Sequence, residues 1–166
     1  YTDSMLLEFE AQIITADVEG TRFGVILDRT AFYPTSGGQL HDTGFLEAET
    51  GERVRVTQVE EGKGGDILHF VDAPLDAGTR VRGRVDPSRR RDHMQQHTGQ
   101  HLLSAAFVRL FEMPTVSFHM GEEACTIDLA TKSLERGQIE RAESLANELV
   151  LEDRPVEIRF VTLEEA

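Results

Sequence analysis

The sequence predicts an α+β protein in which a small N-terminal β-barrel precedes a long helix packed on an antiparallel sheet. The first half of the chain has short apolar runs divided by Gly-containing turns, a pattern typical of small barrels. At Asp86-Pro87 this pattern gives way to helical spacing. A length of 166 residues suits one or two small domains. We therefore expect a barrel domain over residues 1–86 and a second domain over residues 87–166, truncated at its C-terminal end.

Six strands are expected before the helix. They cover residues 6–17, 22–28, 45–48, 54–59, 67–71 and 79–85. In the last of them Arg80, Arg82 and Arg84 alternate with small or apolar residues, which places the three arginines on one face.

The helix is expected to run from Pro87 to Glu112, because Asp86 is a good N-cap, Pro87 suits the first turn and Pro114 follows the end. Apolar residues occupy more than one stripe of its second half, so we expect that half to be buried on several sides.

A hairpin, a second helix and a final strand are expected beyond Pro114. The hairpin strands cover residues 116–120 and 125–129, the helix covers 133–152 and the last strand covers 156–161. The inner side of the helix is predicted from its apolar residues, which are Leu134, Ile139, Ala142, Leu145, Ala146, Leu149 and Val150.

The composition argues against several classes of protein. A net charge of −13 argues against a nonspecific nucleic-acid binder, since such proteins rely on Lys and Arg. Six of the 17 basic residues nevertheless cluster before or at the start of the helix, namely Arg80, Arg82, Arg84, Arg89, Arg90 and Arg91. This cluster predicts a local phosphate-binding patch, with a solvated strand face as the alternative. No apolar run approaches a membrane span, and the single Cys125 excludes an internal disulfide, so we expect a cytoplasmic protein with no membrane partner.

Histidines recur every four residues at the start of the helix. His97 and His101 lie one turn apart on one face, so both imidazoles can bind a single zinc ion. His93 stands about 12 Å from His101 along the axis, too far to share that ion, and we assign it either to the groups that support the metal ligands or to the substrate side. The alternative is a coincidental polar face. Thr98 follows the first ligand where a zinc protease needs a Glu, which argues against a protease.

Two segments carry a family resemblance. Residues 90–103 read Arg-x-x-His-x-x-x-His-Thr-x-x-His-Leu-Leu, and residues 32–44 contain Tyr-Pro, Gly-Gly-Gln and Asp-Thr-Gly. Together they resemble the editing domain of alanyl-tRNA synthetase and the free-standing AlaX trans-editing proteins. The resemblance implies a zinc-associated deacylase that hydrolyses seryl-tRNA(Ala) first and glycyl-tRNA(Ala) second. It also implies zinc bound by His97, His101 and a downstream Cys-x-x-x-His, a motif that this sequence lacks.

The resemblance also implies roles for single residues. Gly37 and Gly38 would let the backbone approach the acceptor end of tRNA(Ala), and the amide of Gln39 would orient substrate or water. Thr98 would offer its hydroxyl to the substrate, beside His93. Arg89, Arg90 and Arg91 would contact phosphates.

Two alternatives remain open at this stage. His119 and Cys125 can formally complete the zinc shell, although a lone cysteine more often fills a small apolar site. A chain without its full ligand set can also be an inactive deacylase, or a tRNA-binding or structural module without catalytic activity.

Overall fold

The computed structural model describes residues 3–19, 22–156 and 162, and it confirms the α+β class. The first six strands are β1 (Glu8–Glu19), β2 (Arg22–Leu27), β3 (Gly44–Ala48), β4 (Arg53–Glu61), β5 (Ile67–Val71) and β6 (Arg80–Val85). They form a closed antiparallel barrel in the order β1-β2-β5-β4-β3-β6. All six were predicted, with ends that differ by at most two residues.

The long strand β1 closes the barrel by pairing with two neighbours. Residues 8–12 pair with β6, and residues 13–19 pair with β2 after a register shift near Ile13. Alternate side chains point inward, as β4 illustrates, where Val54 and Val56 are buried between exposed arginines. Fourteen buried apolar residues form one core cluster inside the barrel.

Helix α1 (Pro87–Phe111) follows β6 directly. The Asp86 carboxylate caps it by accepting hydrogen bonds from the backbone amides of Ser88 at 2.9 Å and Arg89 at 3.1 Å. Glu112 ends the helix in the left-handed conformation at φ 56°. The predicted helix is therefore confirmed at both ends.

The rest of the chain forms a hairpin and a second helix. Strands β7 (Thr115–Met120) and β8 (Cys125–Leu129) make a two-stranded sheet, and α2 (Arg136–Leu151) follows. We call residues 87–151 the helical part. Its core is small, because the buried apolar cluster in the described chain has three members, Ala106, Phe107 and Ala142, and the buried Met120 is not part of it.

Two burial predictions for the helical part were wrong. The second half of α1 is less buried than predicted, since Val108 is 48% exposed and Ala105 is exposed as well. On the predicted inner side of α2, Leu134 precedes the helix, and Ile139 and Val150 are exposed. Apolar periodicity marks a candidate face, but burial needs a partner, and the described elements cover only part of that face.

Two further observations complete the fold. The expected final strand lies outside the described residues except for Val156. Over the ranges that the structure describes, no helix is both long and apolar enough to cross a membrane.

Candidate functional site

A tight turn presents the Gly-Gly-Gln segment. Ser36 and Gln39 exchange two backbone hydrogen bonds, of 3.2 and 2.9 Å, around Gly37 and Gly38. The two glycines have φ values of 58° and 80°. Positive φ at both central positions defines a type I′ turn, which favours glycine because side chains on L residues are strained there.

This turn is fixed against strand β7 by backbone contacts. The Met120 amide donates a 2.8 Å hydrogen bond to the Gly38 carbonyl. A Cβ on Gly38 would stand 2.2 Å from the Phe118 carbonyl oxygen, whereas a Cβ on Gly37 would meet nothing within 4 Å. Gly38 therefore serves both the turn and its close approach to β7.

Phe118 connects the turn to the histidine helix. Its ring stacks on His97 with centroids 6.1 Å apart and planes inclined by 7°. The Cδ1 atom of the same ring lies 3.4 Å from the position that a Cβ on Gly38 would take. The Gly-Gly-Gln turn and the proposed metal-binding face are thus neighbours, separated by one aromatic ring.

The imidazole rings of His97 and His101 contact each other, and their two Nε2 atoms share a hydrogen bond. Their Nε2 atoms lie 3.0 Å apart. Two nitrogens in a tetrahedral zinc shell stand about 3.3 Å apart, given zinc–nitrogen bonds of about 2.0–2.1 Å. Burial, and then the neighbouring His101, lower the pKa of His97, which favours the neutral imidazole that binds metals.

The described residues supply these two donors and no complete shell. They contain no cluster of three or more His, Cys, Asp or Glu side chains that could hold a metal ion. His119 is exposed, and burial raises the pKa of the Cys125 thiol, which disfavours the thiolate form that ligates zinc. The pair therefore fits half of a zinc shell, and the structure gives no support to His119 and Cys125 as the other half.

The two other candidates on α1 lie in different environments. His93 is 7% exposed, and burial followed by the nearby Arg89 charge lowers its pKa. Thr98 is exposed. His93 therefore lies on the interior side of the helix start as a neutral group, and Thr98 lies where a bound molecule can reach it.

The three arginines predicted to bind phosphate differ sharply. Arg90 is 11% exposed and pairs at 2.6 Å with the buried Asp42 carboxylate. It also donates to the backbone carbonyls of Ser4 at 2.8 Å and Ala31 at 2.6 Å. All three of its guanidinium nitrogens are thereby engaged, so we replace its expected phosphate-binding role with a structural one.

Arg89 and Arg91 remain nearer to solvent. The Nε of Arg89 donates a 2.9 Å hydrogen bond to the His41 carbonyl, and its side chain is half-buried. Arg91 is exposed. These two stay candidates for phosphate contact.

Three residues of the site went unassigned in the sequence. Asp42 accepts hydrogen bonds from the Tyr33 amide and from Arg90, which joins the Gly-Gly-Gln segment to the start of α1. His41 lies between Thr35 Oγ1 at 3.0 Å and the Thr57 carbonyl at 3.1 Å. Phe118 had no sequence signal, but Asp42 stands in the Asp-Thr-Gly segment, which could have suggested it.

Comparison with known proteins agrees with this architecture. Residues 4–89 match the family model described as tRNA synthetases class II (A). That match covers the barrel and the first residues of α1.

Several curated relatives match most of the chain. Alanyl-tRNA editing protein AlaX-M of Saccharolobus solfataricus is 37% identical over 166 residues, which is 99% of this chain and 68% of the relative. Alanyl-tRNA editing protein Aarsd1-A of Xenopus laevis is 40% identical over 143 residues, covering 86% of this chain and 33% of the relative. Alanine–tRNA ligase of Pyrococcus furiosus is 37% identical over 171 residues, covering 100% of this chain and 18% of the relative. The chain thus spans about a third of the Xenopus protein and less than a fifth of the ligase.

Proposed function

The chain belongs to the family of class II alanyl-tRNA synthetases and alanyl-tRNA editing proteins, and we propose that it acts in editing by hydrolysing the ester of mischarged tRNA(Ala). Seryl-tRNA(Ala) is the first proposed substrate and glycyl-tRNA(Ala) the second. A synthetic site that selects alanine cannot exclude the smaller glycine and rejects an added hydroxyl imperfectly, so a second, hydrolytic site is needed.

One observation carries the proposal. Two imidazoles with Nε2 atoms 3.0 Å apart stand beside a glycine turn that is fixed by backbone contacts. The imidazoles offer metal ligands, and the turn offers open backbone at Gly37 to a sugar-phosphate end. Neither feature alone indicates hydrolysis. An ester held between them would have zinc, bound by the imidazoles, on one side and the orienting amide of Gln39 on the other.

The proposed roles follow from exposure and contacts. His97 and His101 would hold zinc with further ligands from outside the described residues. When bound, zinc would supply a Lewis acid that positions the aminoacyl group or assists the attacking water. The Gln39 side chain, half-buried next to Gly38, would orient substrate or water, and the exposed Thr98 hydroxyl would contact the substrate.

The proposed domains and the proposed entry of the tRNA follow the fold. We propose that the barrel of residues 1–86 is one domain and that residues 87–166 belong to a second, editing domain. The acceptor end of tRNA(Ala) would enter between the Gly-Gly-Gln turn and α1, with phosphates near Arg89 and Arg91. Cytoplasm is the proposed compartment, in keeping with a tRNA substrate.

The test is release of labelled serine from preformed seryl-tRNA(Ala) by the native full-length protein, with zinc content measured on the same samples. We expect His97→Ala and His101→Ala to abolish release and to lower zinc content, since each removes a ligand. Gln39→Ala should lower turnover with zinc content unchanged, because an orienting amide supplies only part of the transition-state stabilisation.

His119→Ala provides the matched control, since it removes an exposed histidine of the hairpin and should change neither activity nor zinc. A zinc-loaded native protein that releases no serine would contradict the proposed hydrolysis. A noncatalytic tRNA-binding module would then be the better account.

A further inference from the structure

A second basic site lies on the outer face of the barrel, where β3 runs between β4 and β6. Phe45 of β3 is paired in register with Arg55 on one side and with Arg84 on the other. The next outward residue, Glu47, is likewise paired with Arg53 and Arg82. Arginines from two strands far apart in sequence therefore meet around one aromatic ring.

Arg53 is paired in register with Glu47, but its side chain contacts the ring of Phe45. Its guanidinium carbon lies 3.7 Å from the centroid of Phe45, within the range of a cation–π contact. Arg55 and Arg84 flank Phe45 on the two neighbouring strands, and all three arginines line one cavity with it. We call these three residues with Phe45 the arginine cleft.

The arginine cleft lines a cavity of about 490 Å³ that reaches the first residues of α1. Among the described side chains, Arg84 makes two long ionic contacts there, at 3.7 Å to Glu8 and 4.0 Å to Glu47. Its Nε atom is buried and has no hydrogen-bond partner within the described part of the chain. The guanidinium group of Arg84 is thus not saturated by the described carboxylates.

The local charge differs in sign from that of the molecule. The cavity is lined by the three arginines and by two acids, Glu8 and Asp86. The Asp86 carboxylate is already committed to the helix cap. Such a concentration of arginines on a chain of net charge −13 can attract a polyanion to this cavity.

We propose that the arginine cleft binds the phosphodiester backbone of the tRNA acceptor arm. The identity of this RNA rests on the proposed function. Arg is suited to this contact, because its planar fork donates two parallel hydrogen bonds to a phosphate. The cleft borders Pro87, and His97 follows ten residues later, which is about 15 Å along α1 at 1.5 Å per residue. A stem held at the cleft can therefore send its single-stranded 3′ end along the helix to the candidate site.

The experiment measures binding of uncharged tRNA(Ala) transcript to the native protein at several salt concentrations. In the cleft variant, Arg53, Arg55 and Arg84 are replaced together by Gln. Each lost phosphate contact should flatten the slope of log affinity against log salt by about 1, so we expect a total change of about 2 to 3. Affinity at low salt should fall more than tenfold, and the melting temperature should be unchanged.

A charge-matched control replaces Arg29, Arg136 and Arg154 by Gln. These arginines are 72%, 91% and 67% exposed, and none lines the cleft cavity. The control changes the net charge by the same three units, and its affinity and slope should stay near those of the native protein. Equal weakening by both triple variants would overturn the proposal, because net charge alone would then explain the binding.

Serine release separates this proposal from the proposed function. The cleft variant should raise KM for seryl-tRNA(Ala) and leave kcat near the native value, since the cleft lies away from the ester. Cleft-dependent RNA binding without any serine release would support the cleft and refute the hydrolysis. Serine release with an unchanged KM in the cleft variant would refute the cleft and support the hydrolysis.

Discussion

The barrel and the helical part differ in how completely each pairs its own strands and buries its own apolar residues. In the barrel every strand pairs on both sides, and fourteen buried apolar residues fill one core. Among its described residues, the helical part has a two-stranded sheet and a core cluster with three buried members. The Gly-Gly-Gln turn belongs to the barrel, and the two imidazoles belong to the helical part. The geometry of the candidate site therefore depends on the contacts that join the two regions.

The largest expected effect comes from the ion pair at this junction. Arg90→Ala would leave the Asp42 carboxylate, which is 1% exposed, without its charged partner. Removing one member of a buried pair costs about 3–5 kcal/mol, and we expect a loss of that size in the free energy of unfolding. Urea denaturation provides the measurement.

Arg136→Ala is the matched control for Arg90. Arg136 is 91% exposed and pairs with Glu140 one turn away on α2, so its loss should cost less than about 0.5 kcal/mol. If Arg90→Ala lowered the free energy of unfolding by as little as Arg136→Ala, contacts other than this ion pair would join the barrel to the helical part.

The second effect is confined to the barrel and appears on acidification. His69 is fully buried between Thr30 Oγ1 at 2.8 Å and the Val25 carbonyl at 3.2 Å, and burial lowers its pKa from 6.5 to about 4. Between these two pH values the unfolded chain binds a proton that the folded chain does not. Stability should therefore fall by about 3 kcal/mol as the pH drops from 6.5 to 4.

His69→Gln isolates this contribution, because the amide can keep both hydrogen bonds and does not titrate. The pH dependence of unfolding in this window should be weaker in the variant by about the same 3 kcal/mol. Identical pH profiles for the two proteins would show that His69 binds its proton at the same pH in the folded and unfolded states.

The smallest expected effect compares the two turn glycines. Gly37→Ala should cost about 1 kcal/mol, because it places an L residue at positive φ without any clash. Gly38→Ala adds a contact of 2.2 Å to the Phe118 carbonyl, so it should cost more and move the turn off β7. Hydrogen exchange at the Met120 amide would report that movement, and equal exchange in both variants would contradict it.

Local features of this fold follow well from the sequence. Strand alternation and the Asp86-Pro87 start depend on neighbours in the chain, so they could be predicted within a few residues. The shared face of Arg80, Arg82 and Arg84 was also confirmed, since these exposed or half-buried arginines alternate with buried positions on β6.

Contacts between distant segments could not be predicted in this way. Arg90 stood in a run of three arginines, and only the fold shows that Asp42, 48 residues away, occupies its guanidinium group. The sequence also did not predict that Arg53 and Arg55 belong to the arginine cleft with Arg84, because β3 lies between β4 and β6 only in the closed barrel. The apolar stripes of α1 and α2 predicted more burial than exists, since periodicity does not identify the partner that covers a stripe.

Barrel closure by β1 and β6 also has a consequence for the order of folding. Glu8 pairs with Arg84, so the closing seam joins the two ends of the barrel sequence, and such long-range pairing is slow compared with helix formation. Arg90 reaches Ser4, Ala31 and Asp42, which come together only around the finished barrel. We expect α1 to form early as an isolated helix and to dock late, so that a nascent chain acquires its candidate site in the last step of folding.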